Sequence, residues 1–384
     1  MNPLRSQFML RPDIHYLNFG SFGATPIPVF DRYQSWQRLL EAEPVQFIAF
    51  DGAGYLATSR KALATYLHVD DPDDLVYVTN PSYAVNTVAA SLKLAPCDEV
   101  LATDIEYGAC DRAWDFHCER HGAVYRKQHI RLPVTDRESF LDDLFAGVND
   151  RTRVLFISHL TSATALRLPV EEACKRAKAM GLITFVDGAH APGHVPLNLN
   201  ALDADFYTGA CHKWMMAPKG CSFLYTQKEM QPLLAPLVVS WGYKAATPSH
   251  SMFLDHHQMN GTRDFSAFLT VPDCIDFMQQ YDWEAVSARC RSMVRENAPR
   301  FHELLGTAPI SPLNEEWLGQ MVSIPIRTTA PEILQRRLFT EYRIEIPVMR
   351  QGSDVYLRYS LNGFNTLEDL DALFHALTEL GPGF

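Results

Sequence analysis

The 384-residue sequence lacks the features that would assign it to a membrane, to secretion or to a nucleic acid. Its N-terminus, MNPLRSQFMLRPDIHYL, has no apolar core of the about 7–15 residues that a signal peptide requires. No uninterrupted apolar run is long enough to span a bilayer. Lys and Arg number 34 against 45 Asp and Glu, and a net charge of −11 leaves no basic surface for nucleic acid. We therefore expect neither a membrane protein nor a nucleic-acid-binding protein.

The eight cysteines also lack the spacing of a metal site, because no two of them form a CxxC pair. The adjacent His256 and His257 have no third ligand at a regular spacing, so the sequence predicts a polar loop there and no bound metal. Unpaired thiols and the missing signal peptide favour a reducing, cytoplasmic location. The length and the 47% hydrophobic content nonetheless suffice for two domains with large cores.

What the sequence does contain is a carboxylate and an amine that each follow a buried strand. The apolar run 182–186 ends on Asp187, and the short run 204–208 leads through small residues to Lys213. Functional groups in open α/β sheets collect beyond the carboxyl ends of strands. A lysine can form a Schiff base with pyridoxal phosphate (PLP), and a carboxylate can pair with the pyridinium nitrogen of that cofactor. An isolated pair of this kind is more often a surface lysine and a capping aspartate, so the surrounding sequence must decide.

The distribution of predicted elements indicates two domains. Strands and helices alternate across 75–225, which predicts a mostly parallel sheet with helices on both faces. Beyond residue 265 the chain is richer in helices, for example 266–280, and contains three more predicted strands, including 345–349. We expect a large α/β domain at residues 16–260, a small C-terminal α+β domain at residues 261–384 and an N-terminal arm at residues 1–15.

Longer stretches of the sequence resemble one family of enzymes. The region around the aspartate and the lysine contains VDGAHAPG and DFYTGACHKWMMAPKGCSFLY, and further motifs are YLNFGSFGATP, GTRDFSAFL and VYLRYSLNGFNTLEDLDAL. Together they resemble the class V aminotransferase family of fold-type I PLP enzymes, in particular its isopenicillin N epimerase-like branch, which is related to cysteine desulfurases. The resemblance covers nearly the whole chain and implies an aspartate aminotransferase-like fold with PLP as cofactor. It is more specific for the fold and the cofactor than for the reaction.

The resemblance implies roles for four residues around the cofactor. Lys213 is the Schiff-base lysine, and Asp187 pairs with the pyridinium nitrogen. His190, three residues after the aspartate, is placed to reach the 3-oxygen or the ring, and His212 is placed beside the phosphate. We therefore expect Lys213, Asp187 and His190 to be the catalytic residues.

Three more segments are expected to hold the cofactor. The strand 75–78 leads to a helix start at Ser82 and Tyr83, where free N–H groups attract a phosphate; an ordinary helix cap is the alternative. Tyr107 lies in the turn from which a histidine stacks on the ring in cysteine desulfurases, and a half-buried loop tyrosine is the alternative. Thr262, in the family's Gly-Thr segment, is expected to reach the phosphate in a partner subunit, which implies a homodimer with shared active sites.

The substrate is expected to be a small molecule that carries an amino-acid group. Arg358, on a predicted strand, corresponds to the arginine that clamps the substrate carboxylate in the family, because only arginine offers a flat bidentate fork. Asn18 and Ser21, in the glycine-containing segment 16–23, are expected near the substrate, although a plain turn would also explain this segment. Ser162 stands where desulfurases have an asparagine, so the contact of this segment is left open.

The resemblance favours epimerisation at Cα, in which a proton leaves one face of the carbon atom and returns to the other. Lys213 would carry that proton, and the second acid–base group is not identified. C–S lysis and transamination are alternatives on the same scaffold, and a PLP-binding protein without turnover is the alternative from another class. A cysteine desulfurase is not expected, because its chemistry needs a cysteine thiolate, which the desulfurases that the chain resembles carry on a loop shortly before the arginine. Residues 342–352 contain no cysteine, and the last one in the chain is Cys290.

Overall fold

The computed structural model describes residues 4–381, and its centre is a seven-stranded sheet. The strands in these residues are β1 His15–Tyr16, β2 Leu75–Val78, β3 Glu99–Thr103, β4 Val124–Gln128, β5 Thr152–Ser158, β6 Ile183–Gly188, β7 Phe206–Gly209, β8 Ser222–Thr226, β9 Met321–Pro325, β10 Ile344–Glu345, β11 Val348–Gln351 and β12 Asp354–Ser360. The large sheet has the order β2-β8-β7-β6-β5-β3-β4.

The large sheet is mostly parallel, as the sequence predicted. β4, β3, β5, β6 and β7 pair in parallel, whereas β8 runs antiparallel to both of its neighbours. Successive residues of the central strands enter two different cores: Leu155 and Val186 belong to one core, and Phe156 and Phe185 to the other. Because side chains alternate between the two faces of a strand, both faces of the sheet are covered. The predicted α/β fold class is confirmed.

Fourteen α-helices lie within residues 4–381. They are α1 Phe19–Phe22, α2 Ile27–Ala42, α3 Gly52–Leu67, α4 Pro81–Ser91, α5 Gly108–His121, α6 Arg137–Phe145, α7 Val170–Ala179, α8 Leu199–Leu202, α9 Met252–Gln258, α10 Ser266–Leu269, α11 Val271–Gln280, α12 Trp283–Leu305, α13 Pro331–Tyr342 and α14 Leu367–Leu380. In this described part of the chain, every helix is too short or too polar to cross a membrane.

The prediction of a polar loop around His256 and His257 was wrong, because these residues lie on α9. The side chain of Ser251 accepts a hydrogen bond from the N–H of Leu254, which is a normal helix start. Phe253 and Leu254 are buried in the core that covers one face of the large sheet. One apolar turn packed onto this core therefore makes the segment helical.

Two prolines divide elements that the sequence predicted as continuous. The predicted helix 266–280 is split into α10 and α11, because Pro272 has no N–H to donate to the carbonyl of Phe268. That carbonyl instead accepts a hydrogen bond from Ser59 Oγ at 2.6 Å. The predicted strand 345–349 is likewise two strands, β10 and β11, which end and begin on either side of Pro347.

The C-terminal region forms a smaller α+β unit around the antiparallel sheet β11-β12-β9. β1 pairs in parallel with β10, so the chain after the N-terminal arm joins this region. Phe8 of the arm packs edge-on against Phe364, with ring centroids 5.0 Å apart. Residues 1–3 of the predicted arm and 382–384 of the predicted small domain lie outside the described residues, and the domain boundaries stay predictions.

Candidate active site

The predicted aspartate lies at the carboxyl ends of three neighbouring strands. Asp187 of β6 is aligned with Ser158 of β5 and Thr208 of β7. Its carboxylate is buried, with Oδ1 accepting the N–H of Ala189 at 2.9 Å and Oδ2 accepting the thiol of Cys110 at 3.4 Å. Burial raises the pKa of Asp187, whereas these hydrogen bonds and the nearby charge of Lys213 oppose the rise. The site thus holds a carboxylate that is stabilised mainly by neutral donors.

The predicted lysine lies in the turn that follows β7, close enough to Asp187 for the two charges to interact. Lys213 Nζ is 3.2 Å from Nε2 of the buried His190. Burial lowers the pKa of Lys213 to about 8, and the positive charge of Arg358 acts in the same direction, while Asp187 opposes it. A lysine with a lowered pKa supplies the neutral amine that attacks a carbonyl carbon. The structure therefore brings the three predicted catalytic residues together.

His212 lies beside the lysine but is held by the adjacent strand. Its Nδ1 donates to the carbonyl of Cys221 at 2.9 Å and lies 3.3 Å from Ser222 Oγ. Burial lowers the pKa of His212 to about 4, and the charges of Lys213 and Lys219 add to this effect. The imidazole is thus oriented through Nδ1, which directs Nε2 away from the strand.

The start of α4 has an ordinary helix cap, and the predicted phosphate contact at Ser82 and Tyr83 stays a prediction. Asn80 caps the helix, because its side chain accepts the N–H of Tyr83 at 2.9 Å. The hydroxyl of Tyr83 accepts a hydrogen bond from Asn260 at 3.2 Å, and Asn260 also accepts one from Arg263. Ser82 is half-buried beside this cap. A helix start with a nearby guanidinium is a suitable environment for a phosphate.

Thr262 and Tyr107 are the predicted site residues with the greatest solvent exposure. Thr262 lies on the exposed segment between Asn260 and Arg263. Tyr107 precedes α5, is 46% exposed, and lies close enough to Arg358 to affect its pKa. The predicted contact of Thr262 with the phosphate and that of Tyr107 with the cofactor ring stay predictions.

The predicted substrate residues meet around the guanidinium of Arg358, which is 1% exposed on β12. Nη1 donates to the carbonyl of Ser162 at 2.7 Å, and Nη2 donates to Ser21 Oγ at 3.1 Å. The hydroxyl of Ser21 in turn donates to Asn18 Oδ1. The N-terminal segment, the loop after β5 and the small sheet thus meet at one cation.

This cation has no acidic partner among the described residues 4–381, and its Nε atom is buried there without a hydrogen bond. Burial lowers the pKa of Arg358 only to about 10, so the side chain remains charged at neutral pH. A buried charge without a counter-charge is costly unless a ligand neutralises it. Arg358 is therefore a buried cation without a counter-charge among residues 4–381, and its positive charge acts on the pKa of Lys213.

Several buried side chains at the site were not identified from the sequence. Glu106 accepts hydrogen bonds from Thr103 Oγ1 at 2.6 Å and from the N–H of Ser158 at 3.0 Å, and burial raises its pKa to about 7. Cys110 and Trp214 contact Asp187 and His190. Glu106 and Trp214 directly adjoin the predicted site residues Tyr107 and Lys213, but no periodicity in the sequence indicates that they face the site.

The exposed thiol of the chain lies away from the position that a persulfide carrier would need. Seven of the eight cysteines are buried, and Cys97 is the exposed one. Cys97 precedes β3, at the amino ends of the parallel strands, whereas Asp187 lies at their carboxyl ends. The structure thus offers no exposed thiol near Arg358 in residues 4–381.

Comparisons with known proteins agree with this geometry. The sequence model of the family Aminotransferase class-V matches residues 41–373. The chain is 34% identical to isopenicillin N epimerase of Streptomyces clavuligerus, over 98% of this chain and 97% of that protein. It is 28% identical to putative L-cysteine desulfhydrase 1 of Oryza sativa subsp. japonica, over 95% of this chain and 82% of that protein. A solved structure of a C-DES mutant with glycine covalently linked to the PLP cofactor has the same fold, with a TM-score of 0.84 at 21% identity over 98% of this chain and 99% of that chain.

Proposed function

Because the chain belongs to the class-V aminotransferase family, we propose that it epimerises the Cα atom of an amino acid or of an amino-acid-bearing metabolite. The predicted family and the predicted cofactor, PLP, are confirmed, and the chain is an enzyme of this family. The observation that carries the proposal is the buried Arg358, which has no acidic partner among residues 4–381 and whose charge acts on Lys213. The 34% identity to an epimerase over nearly the full length supports this choice of reaction.

The residues of the site fit PLP. Lys213, with its lowered pKa, would hold the cofactor covalently, and Asp187 would face the ring nitrogen. The capped helix start at Ser82 and Tyr83, with His212 nearby, would hold the phosphate. When bound, the cofactor supplies an electron sink that makes the Cα proton of an attached amino acid acidic.

The remaining chemistry falls to side chains of this chain. Arg358 would bind the substrate carboxylate and fix the orientation of Cα. Lys213 Nζ would take the Cα proton from one face, since a neutral amine with a pKa near 8 can accept a proton at neutral pH. Inversion then requires a second acid–base group that delivers a proton to the opposite face, and no residue is assigned to that step. Asp187 would keep the ring nitrogen protonated, because a buried carboxylate stabilises an adjacent cation.

The reaction can be tested with the PLP-loaded full-length protein in D2O. A panel of L- and D-amino acids and short peptides would be incubated with it, and deuterium at Cα and configuration would be measured by mass spectrometry and chiral chromatography. We expect inversion with one deuterium gained and no other atom lost. Deuterium uptake with complete retention, or formation of a keto acid with transfer of the amino group, would contradict epimerisation.

C–S lysis is the second candidate, and the similarity to a putative L-cysteine desulfhydrase favours it as the alternative. Loss of the same Cα proton would precede departure of a β-sulfur group, so the residues above would serve both reactions. Incubation with L-cysteine separates the two. Pyruvate, ammonia and sulfide at a rate above that of any Cα inversion would replace the epimerase proposal with a lyase.

We also propose that the active protein is a homodimer in which Thr262 reaches the partner's cofactor phosphate. Exposed apolar side chains support a covered surface, among them Val45, Phe50, Val239 and Trp241. Mixing Lys213→Ala subunits with Thr262→Ala subunits tests the shared site. A mixed dimer would regain one intact site and its activity, whereas sites contained within single chains would give no recovery.

A further inference from the structure

Two buried histidines near the lysine are joined by hydrogen bonds whose directions are fixed. His194 Nε2 accepts the backbone N–H of Gln320, and His194 Nδ1 lies 2.8 Å from the carbonyl of His190. A backbone N–H only donates and a carbonyl only accepts, so the proton of the neutral His194 ring must be on Nδ1. Burial lowers the pKa of His194 to about 3, which keeps the ring neutral.

The indole of Trp214 fixes the second histidine in the same way. Trp214 Nε1 lies 3.3 Å from His190 Nδ1, and the indole stacks on His194 with ring centroids 3.9 Å apart. An indole N–H is a donor only, so His190 Nδ1 must be the acceptor. Burial also lowers the pKa of His190 far below its ordinary value. The single proton of this neutral ring is therefore on Nε2, which faces Lys213 Nζ at 3.2 Å.

We propose that Trp214 and His194 are positioning residues that lock His190 in the Nε2-protonated tautomer, so that His190 serves the site as an N–H donor and not as a base. In the protein without cofactor, the Nε2–H donor favours the neutral amine of Lys213, because its lone pair can accept the hydrogen bond whereas an ammonium group has no acceptor. With cofactor bound, His190 would offer the same N–H to the cofactor as a hydrogen-bond donor. This inference refines the role of His190 within the proposed PLP site.

The hydrogen bonds of His190 and His194 also connect Lys213 to the small sheet that carries Arg358. Gln320 directly precedes β9, and β9 pairs with β12 so that Ser323 is aligned with Arg358. Gly319 leaves room for this connection, because a Cβ atom there would lie 2.2 Å from His194 Nε2. A displacement of the small sheet would thus act on the same hydrogen bonds that orient His190.

The tautomer can be read directly by 15N NMR of the full-length protein labelled at histidine, before and after loading with PLP. The His190 signal is assigned by its loss in His190→Gln. We expect an Nε2-protonated, neutral ring in both states. Trp214→Phe keeps an aromatic ring on His194 but removes the indole donor, and it should shift His190 towards the other tautomer. Trp317→Phe is the control, because that buried indole N–H has no hydrogen-bond partner among residues 4–381.

Activity gives a second, independent measurement. The amide of Gln can donate a hydrogen bond but cannot act as a base. We expect His190→Gln to retain activity within roughly tenfold of the unmodified enzyme, and His190→Leu to lose at least ten times more than that. A His190 ring protonated on Nδ1, an unchanged His190 spectrum in Trp214→Phe, or equal losses in the Gln and Leu variants would overturn the proposal. The NMR result does not depend on which reaction the enzyme catalyses.

Discussion

Replacement of Arg358 by lysine tests the proposed carboxylate site most directly. The two ends of the guanidinium reach toward groups on different elements, the carbonyl of Ser162 at 2.7 Å and Ser21 Oγ at 3.1 Å. A single ammonium group cannot span both positions. The lysine should therefore keep the positive charge but lose one of the two hydrogen bonds that the guanidinium can donate to a carboxylate. One hydrogen bond to a charged group contributes about 1.5–3 kcal/mol. We therefore expect Arg358→Lys to bind the substrate roughly 10- to 150-fold more weakly.

A second substitution separates the geometry of this residue from its charge. The positive charge of Arg358 lowers the pKa of Lys213. Arg358→Gln removes that charge, so the pKa of Lys213 should rise above about 8, whereas Arg358→Lys should leave it nearly unchanged. Cofactor attachment requires the neutral amine of Lys213. The midpoint of the pH dependence of cofactor attachment should therefore move to higher pH in Arg358→Gln and stay in place in Arg358→Lys.

Substrate affinity would be measured from the change in cofactor absorbance on addition of amino acid, and the pH dependence from the rate of cofactor reloading. Arg60→Lys is the matched control, because Arg60 is also buried but pairs with Asp73 at 2.7 Å. Loss of bound cofactor in Arg358→Lys together with normal substrate affinity would refute the carboxylate role. Arg358 would then be a structural residue.

The other predictions concern the cofactor and the reaction. Lys213→Ala should lose borohydride-reducible PLP, whereas Lys219→Ala should retain it; reducible PLP on another lysine in Lys213→Ala would contradict the assignment. Asp187→Asn should retain covalently bound PLP but lose most turnover, because a neutral amide cannot stabilise the pyridinium, and near-normal turnover would mean that this pairing is wrong. In the unmodified protein, cofactor reloading should accelerate as pH rises through about 8 and level off above it, because the pKa of Lys213 is lowered from its ordinary value; a midpoint near 10 would contradict this. With L-cysteine and a thiol reductant, no cysteine-bound persulfide should be detected by mass spectrometry, and its detection would reopen the desulfurase reading.

The sequence by itself determined the sheet and the positions of its central functional groups. Asp187 and Lys213 were predicted at strand ends because buried parallel strands are continuous apolar runs, a pattern that is visible locally. The sequence failed where a distant partner decided the outcome. α9 forms because Phe253 and Leu254 pack onto the large sheet, and Pro272 divides a helix whose freed carbonyl is taken by Ser59.

Only the tertiary structure decided how the site is held together. The contact of Ser162 was left open because its side chain differs from the asparagine of desulfurases. The backbone carbonyl of Ser162, however, makes a shorter hydrogen bond to Arg358 than its hydroxyl does. Every residue type provides such a carbonyl, so the side chain does not reveal this contact. His190 and Gln320 are linked through the ring of His194, across a long stretch of sequence. Local patterns record burial and periodicity, but the direction of a hydrogen bond depends on which donors and acceptors the folded chain brings into contact.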